Sequence, residues 1–106
     1  MGRFSAPTPI VYFAHAEGCP ACEALKPAIR AFAPALAAKG IELRLADVTK
    51  GEKVPFDVTT IPAFALQVPG VPKVWVLEQK NVETVIDIPT LRQWIGRGLA
   101  LLRGAR

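Results

Sequence analysis

The sequence predicts an α/β domain: a mixed sheet of four to five strands flanked by helices. Three observations carry this. Ile10-Val11-Tyr12-Phe13-Ala14 is an unbroken apolar run rich in strand formers, as suits a central strand covered on both faces. Between Pro20 and Lys39 the apolar residues recur at helical spacing. Several shorter strand-like runs then precede a closing helical segment. A strand-helix-strand opening implies parallel pairing and a right-handed crossover. A tight turn later in the chain implies antiparallel partners.

Taken in order, the central strand ends at Ala14, and His15 to Gly18 read as a polar, exposed loop. In the helix from Pro20 to Lys39, Leu25, Ile29, Phe32 and Leu36 make one apolar stripe, with Lys26, Arg30 and Lys39 off it. Gly40 is placed to end it. Pro27 and Pro34 each remove a backbone donor, so a kink is expected near the first and a kink or break near the second. Ile41 to Leu45 alternates as a half-buried strand near a sheet edge. Asp47 to Thr60 is polar, with one helical turn expected around Glu52 to Phe56. Ala63 to Val68 and Val74 to Leu77 read as strands joined through Val68-Pro69-Gly70-Val71, which has the residues of a type II turn. Val82 to Ile88 alternates as one more strand. The last helix is expected to start at Thr90, in a capping box with Gln93, and to bury Leu91, Trp94, Ile95, Leu99 and Leu102. Gly96 and Gly98 weaken it. Trp75, Trp94 and Tyr12 are expected to be packed.

The 106 residues fill one domain, 1–106, with 1–8 expected as a flexible N-terminus. About half the residues, 51%, are apolar, enough for a core without covalent staples, and two cysteines do not make a disulfide scaffold. No targeting segment or membrane span is visible; the apolar run 10–14 is too short for either. A cytoplasmic location is therefore expected. The net charge is +4, and after Asp87 only Arg92, Arg97, Arg103 and Arg106 carry charge. Cations late in a helix favour its negative end, and the stretch lacks interleaved aromatics for base stacking. Neither nucleic acid nor a membrane is expected as a partner.

The chemistry concentrates at Gly18-Cys19-Pro20-Ala21-Cys22, where the central strand gives way to the helix. A helix start has unpaired N–H groups and partial positive charge, and both stabilise a thiolate. The thiol pKa there falls below its free value of about 8.5, which supplies the attacking species. Residues three apart share a face and are close enough to bridge. Cys19 at the exposed tip is then the nucleophile, and Cys22, one turn in, the resolving thiol. A CxxC can also be half a metal site, or two small residues without chemistry. Structural zinc needs four ligands, and this chain supplies two thiols and one histidine, His15. No metal site is assigned.

The chain resembles the thioredoxin superfamily over residues 9 to 103. The features that match in order are the strand before Cys19-Pro20-Ala21-Cys22, Pro27 five residues past the second cysteine, Thr60-Ile61-Pro62 before a strand, and a closing amphipathic helix. The resemblance implies a thioredoxin-like fold with Cys19 and Cys22 catalytic. It implies a substrate groove formed by Ile61, Pro62, Pro20 and Ala21, with the Ile61–Pro62 bond cis and the Ile61 backbone holding an extended client segment. It further implies a protein-disulfide reductase that needs no cofactor. Its partners are disulfide-containing proteins and an upstream reductase, and a monomer is expected.

The departures matter. Pro20 directly after the first cysteine is similar to glutaredoxins and the periplasmic oxidases, which suggests a more oxidising couple. Phe13 stands where thioredoxins carry a buried acid. No Gly-Gly-Asp-like glutathione turn lies between Leu77 and Thr90. About nine more residues than in thioredoxins separate Pro62 from the last helix, which supports an added strand, and the family's N-terminal strand and helix are missing. The alternatives are a disulfide oxidase or isomerase, and a non-catalytic or iron–sulfur-binding module. His15, Glu17 and Glu23 are expected to be exposed, and Lys26 to favour a thiolate.

Overall fold

The structure, a computed structural model, describes residues 8–78 and 86–104. Its elements are β1 (Ile10–His15), α1 (Pro20–Ala38), β2 (Glu42–Asp47), a 3-10 turn (Val48–Lys50), β3 (Ala63–Gln67), β4 (Trp75–Glu78) and α2 (Ile88–Gly104). Among the described residues four strands form one sheet in the order β2-β1-β3-β4. β1 pairs parallel with β2, so the chain crosses over through α1, and it pairs antiparallel with β3. β3 and β4 are antiparallel neighbours joined through a turn that the Val71 N–H closes onto the Val68 carbonyl at 3.1 Å. This is the mixed α/β sheet the sequence predicts, with β1 interior and β2 at an edge.

Register sorts the side chains between two faces. Phe13 lies opposite Leu45 and Phe64, and Val11 opposite Leu43 and Leu66. These residues make the helix-bearing face. The Phe13 ring stacks on Phe64 at 5.0 Å, and Phe64 meets Trp94 of α2 at 6.4 Å. The core continues into α1 through Cys22, Ile29, Phe32 and Leu36, the last three lying on the stripe read from the sequence. Leu25 packs half-buried against them. The two helices lie side by side, with the Arg92 guanidinium 5.4 Å over the Phe32 ring. On the other face the Tyr12 hydroxyl donates to Gln67 Oε1 at 3.3 Å.

The helix α1 runs through Pro27 and Pro34 as one element, so of the kink or break expected at the second no break occurs. The carbonyls these prolines leave unpaired belong to Glu23 and Arg30, both exposed, so water can satisfy them. The helix ends as its glycine predicts. The Gly40 N–H donates to the Ala37 carbonyl at 3.0 Å and the Ile41 N–H to the Leu36 carbonyl at 3.0 Å. Gly40 takes φ +78, the left-handed conformation this motif needs. Leu36 and Ile41 both enter the core, which adds the apolar contact that accompanies such ends.

Other expectations are corrected. The helical turn falls at 48–50, not 52–56, because the Asp47 carboxylate caps it by accepting the Thr49 N–H at 3.0 Å. The last helix starts at Ile88, not after Thr90. Asp87 is its cap, its carboxylate accepting the Thr90 N–H at 2.9 Å while its carbonyl accepts the Leu91 N–H at 2.9 Å. Thr90 is therefore inside the first turn, and Pro89 sits where a missing N–H costs nothing. Ile88, read as the end of a strand, packs against the core from the helix. Ile86 and Asp87 are not in a strand either, the first buried in the core and the second serving as the cap. The rest of that expected fifth strand, 82–85, lies outside the described residues, as does the N-terminus through residue 7. No described helix is long and apolar enough to cross a membrane.

Gly98 shows why a residue that weakens α2 stands there. A Cβ at that position would come within 2.8 Å of Leu66 Cδ2 and 2.9 Å of Trp75 Cγ, and closer still to Trp75 Cδ1. The bare backbone lets the Trp75 indole dock against α2. Gly96, two residues earlier, has nothing within 4 Å of a Cβ.

Candidate functional site

The CxxC segment sits at one end of the sheet, where β1 delivers it. After His15 the chain makes a short turn through Ala16 to Gly18, and Gly18 adopts φ +77 to swing the backbone into α1. A non-glycine residue reaches that conformation only at a steric cost. The Glu17 N–H donates to Thr49 Oγ1 at 3.4 Å. Thr49 is itself tied to Asp47, and the Asp47 N–H donates to Glu52 Oε1 at 2.7 Å. The turn before Cys19 is thus moored to the end of β2.

Cys19 occupies the N-cap of α1. Its Sγ accepts the Cys22 N–H at 3.2 Å, the place an Asp or Ser oxygen takes in other helices. Its carbonyl accepts the Glu23 N–H at 3.0 Å. Pro20 follows at the first helical position, where proline is pre-organised and its absent N–H is not missed. Cys19 and Cys22 are joined as a disulfide with Cα atoms 5.2 Å apart. The two sulfurs differ in access. Cys19 is half-buried and Cys22 is 0% exposed. Pro20 and Ala21 are exposed between them.

Ile61 and Pro62 come to the same end by register. Ala14 of β1 lies opposite Ala63 of β3, so the two residues before Ala63 run alongside the turn that leads to Cys19. The Ile61–Pro62 peptide is cis. Pro62 is fully buried, and Ile61 packs half-buried against the core. Just before them, the Thr59 and Thr60 hydroxyls donate to the Glu78 carboxylate at 3.3 and 3.4 Å, tying this segment to the end of β4.

Three charged neighbours complete the end. Glu17 and Glu23 are exposed, as expected. Lys26 is engaged by Glu23 at 2.6 Å, so its charge is directed at that carboxylate and not held free for a sulfur. This hydrogen bond and the Lys26 charge hold the Glu23 carboxyl below its usual range.

His15 departs most from expectation. It is the last residue of β1, not part of an exposed loop, and it is 7% exposed. Its ring lies 5.4 Å from that of Phe13, on the helix-bearing side. Burial, then the Lys26 charge, push its pKa below 6.5, against opposing pulls from Asp47, Glu52 and Glu23. Its Nδ1 is buried without a hydrogen-bond partner. Extending the alternation Val11, Phe13 by one more step places His15 on the inner face, a signal the sequence contains. The mooring of Glu17 by Thr49 has no such signal, since those residues are 32 apart in the chain.

No family model matches the chain, and no curated protein does. Solved structures do: 80 chains match, so the arrangement recurs among known folds. One is a malarial protein, 21% identical, with a TM-score of 0.65 over 87% of this chain and 98% of that one. At that identity the likeness is one of fold.

Proposed function

We propose that this protein is a thiol–disulfide oxidoreductase of thioredoxin-like fold that reduces protein disulfides through Cys19 and Cys22. The observation that carries this is the pair itself: two sulfurs at bonding distance on the first turn of a helix, one reachable and one sealed in the core. The N–H donated to Cys19 Sγ and the dipole of a 19-residue helix both favour negative charge on that sulfur.

In the reduced protein the Cys19 thiolate attacks a client disulfide. A Cys19–client bond forms, and one client sulfur leaves as a thiol. Cys22 then gives up its proton and attacks Cys19 Sγ. The Cys19–Cys22 bond forms, the second client sulfur leaves with the electron pair, and the client is reduced by two electrons. An upstream reductase restores the dithiol. The buried position of Cys22 supports this division of labour, because a bulky client reaches Cys19 first. Ile61 and Pro62, beside the Cys19 turn, would hold the client backbone, with Pro20 and Ala21 as the exposed rim. No bound cofactor takes part, and the reducing chemistry suits the cytoplasm.

The test is disulfide reduction of insulin with dithiothreitol or glutathione as donor. Turnover that is lost in both Cys19→Ser and Cys22→Ser is expected. No turnover by the unaltered protein with either donor contradicts the reading.

A further inference from the structure

We propose that His15 accepts the Cys22 proton when the buried sulfur becomes the attacking thiolate, a role that rests on the exchange reading above. The imidazole stands at the end of β1 that leads through the 16–18 turn into the Cys19–Cys22 segment, on the same face as Phe13. The charged groups within reach of it are Glu23 and Lys26 from α1, Asp47 from the end of β2, and Glu52 beyond the 3-10 turn. Glu23 directly follows Cys22, and Lys26 stands one helical turn beyond it. Cys22 and Phe13 belong to one core cluster, and the His15 ring packs on Phe13.

The unpartnered Nδ1 points to the role. Buried polar atoms without a partner are costly. Among the described residues the Trp75 and Trp94 indole N–H groups share this state, and of the three only the imidazole can accept a proton. In the oxidised state neither sulfur carries a hydrogen, so neither can donate to Nδ1. Reduction gives Cys22 an S–H, a weak donor in a fully buried place. The partner that Nδ1 lacks is then the reduced Cys22 thiol. Burial keeps the ring neutral near pH 7, and a neutral imidazole has one nitrogen lone pair free to accept.

The step balances. With Cys19 bonded to the client, the Cys22 proton passes to His15. The Cys22 sulfur attacks Cys19 Sγ, the Cys19–Cys22 bond forms and the Cys19–client bond breaks. The client sulfur leaves with the electron pair and takes back the proton from the imidazolium, so His15 returns to its neutral form.

Reaction of the reduced protein with dithiobis(nitrobenzoate) separates the steps. Attack by Cys19 releases the first thionitrobenzoate, and attack by Cys22 on the resulting mixed disulfide releases the second. His15→Phe keeps a ring against Phe13, and His15→Gln keeps a polar side chain without a basic nitrogen. Both are expected to slow the second release about a hundredfold at pH 7, the low end of what positioned proton transfer contributes, and to leave the first unchanged. In the unaltered protein the second release is expected to fall away as the pH drops below 6.5 and His15 protonates, and neither variant should show that break. A second release as fast as in the unaltered protein with the break intact, or two phases slowed equally, overturns the proposal alone. An unaltered protein that gives no second release overturns the exchange reading and this proposal with it.

Discussion

Replacing Gly98 by alanine should destabilise the protein, while the same change at Gly96 should stabilise it. Both glycines are interior to α2, where alanine is favoured over glycine by about 1 kcal/mol. At Gly96 nothing lies within 4 Å of the new methyl, so that gain is realised in full. At Gly98 the methyl meets Leu66 Cδ2 at 2.8 Å and Trp75 Cγ at 2.9 Å. Leu66 is 0% exposed and the indole is a rigid plate, so neither can give way without moving the sheet or the helix. Overpacking of this kind costs about 1–3 kcal/mol. With three close atoms at once the upper half of that range applies, leaving a net loss of about 1–2 kcal/mol. For a domain of this size each kcal/mol moves the Tm by about 4 °C or more. Thermal melts by circular dichroism, with urea melts beside them, read both changes. Trp75→Val should remove most of the Gly98→Ala penalty, since the two sites share the same space. A Gly98→Ala protein that melts as high as Gly96→Ala would refute the packing argument.

The remaining expectations concern the core, the buried histidine and the more accessible of the two sulfurs. Phe64→Ala removes a 0%-exposed ring that links Phe13 to Trp94, and should cost about 3–5 kcal/mol in a urea melt. His15 has a folded pKa below its unfolded value of 6.5, so its neutral form is the one the fold favours. Its contribution to stability is complete above pH 6.5 and is lost as the pH falls through the lower folded value. The oxidised protein should therefore lose Tm on going from pH 7 to pH 5, and His15→Gln should flatten that dependence. In the reduced protein, thiolate absorbance near 240 nm followed against pH should place Cys19 below the free-thiol value of about 8.5. A Cys19 as hard to ionise as a free thiol would mean that the helix start gives the sulfur no help.

Local chemistry made most of the fold legible. The apolar run of β1, the stripe of α1 and the turn at 68–71 each depend on residues close in the chain, and each stands where it was read. The misplaced boundaries were cases of local competition. Thr90 with Gln93 offered one cap, but Asp87 offered an ionised acceptor one turn earlier, and starting there lets Ile88 reach the core. Gly98 looked like a weakness because its reason, the Trp75 indole, lies in another strand. At the site, the spacing of Cys19 and Cys22 gave the pair and its position on the helix. Ile61 and Pro62 came only through a family resemblance, since nothing local connects residue 62 to residue 19. His15 was read as loop because the apolar run stops at Ala14. Strand pairing depends on backbone register, not on polarity, and β1 continues one residue further to pair His15 with Asp47.

Exchange through Cys19 is tested most directly by trapping it. Cys22→Ser, reduced and mixed with a disulfide-bonded protein such as insulin, should form an adduct through Cys19 that mass spectrometry detects and dithiothreitol dissolves. Cys19→Ser, whose remaining sulfur is sealed in the core, should form almost none. Equal trapping by the two variants would contradict the assigned roles, and no adduct with either would remove the thiol chemistry altogether.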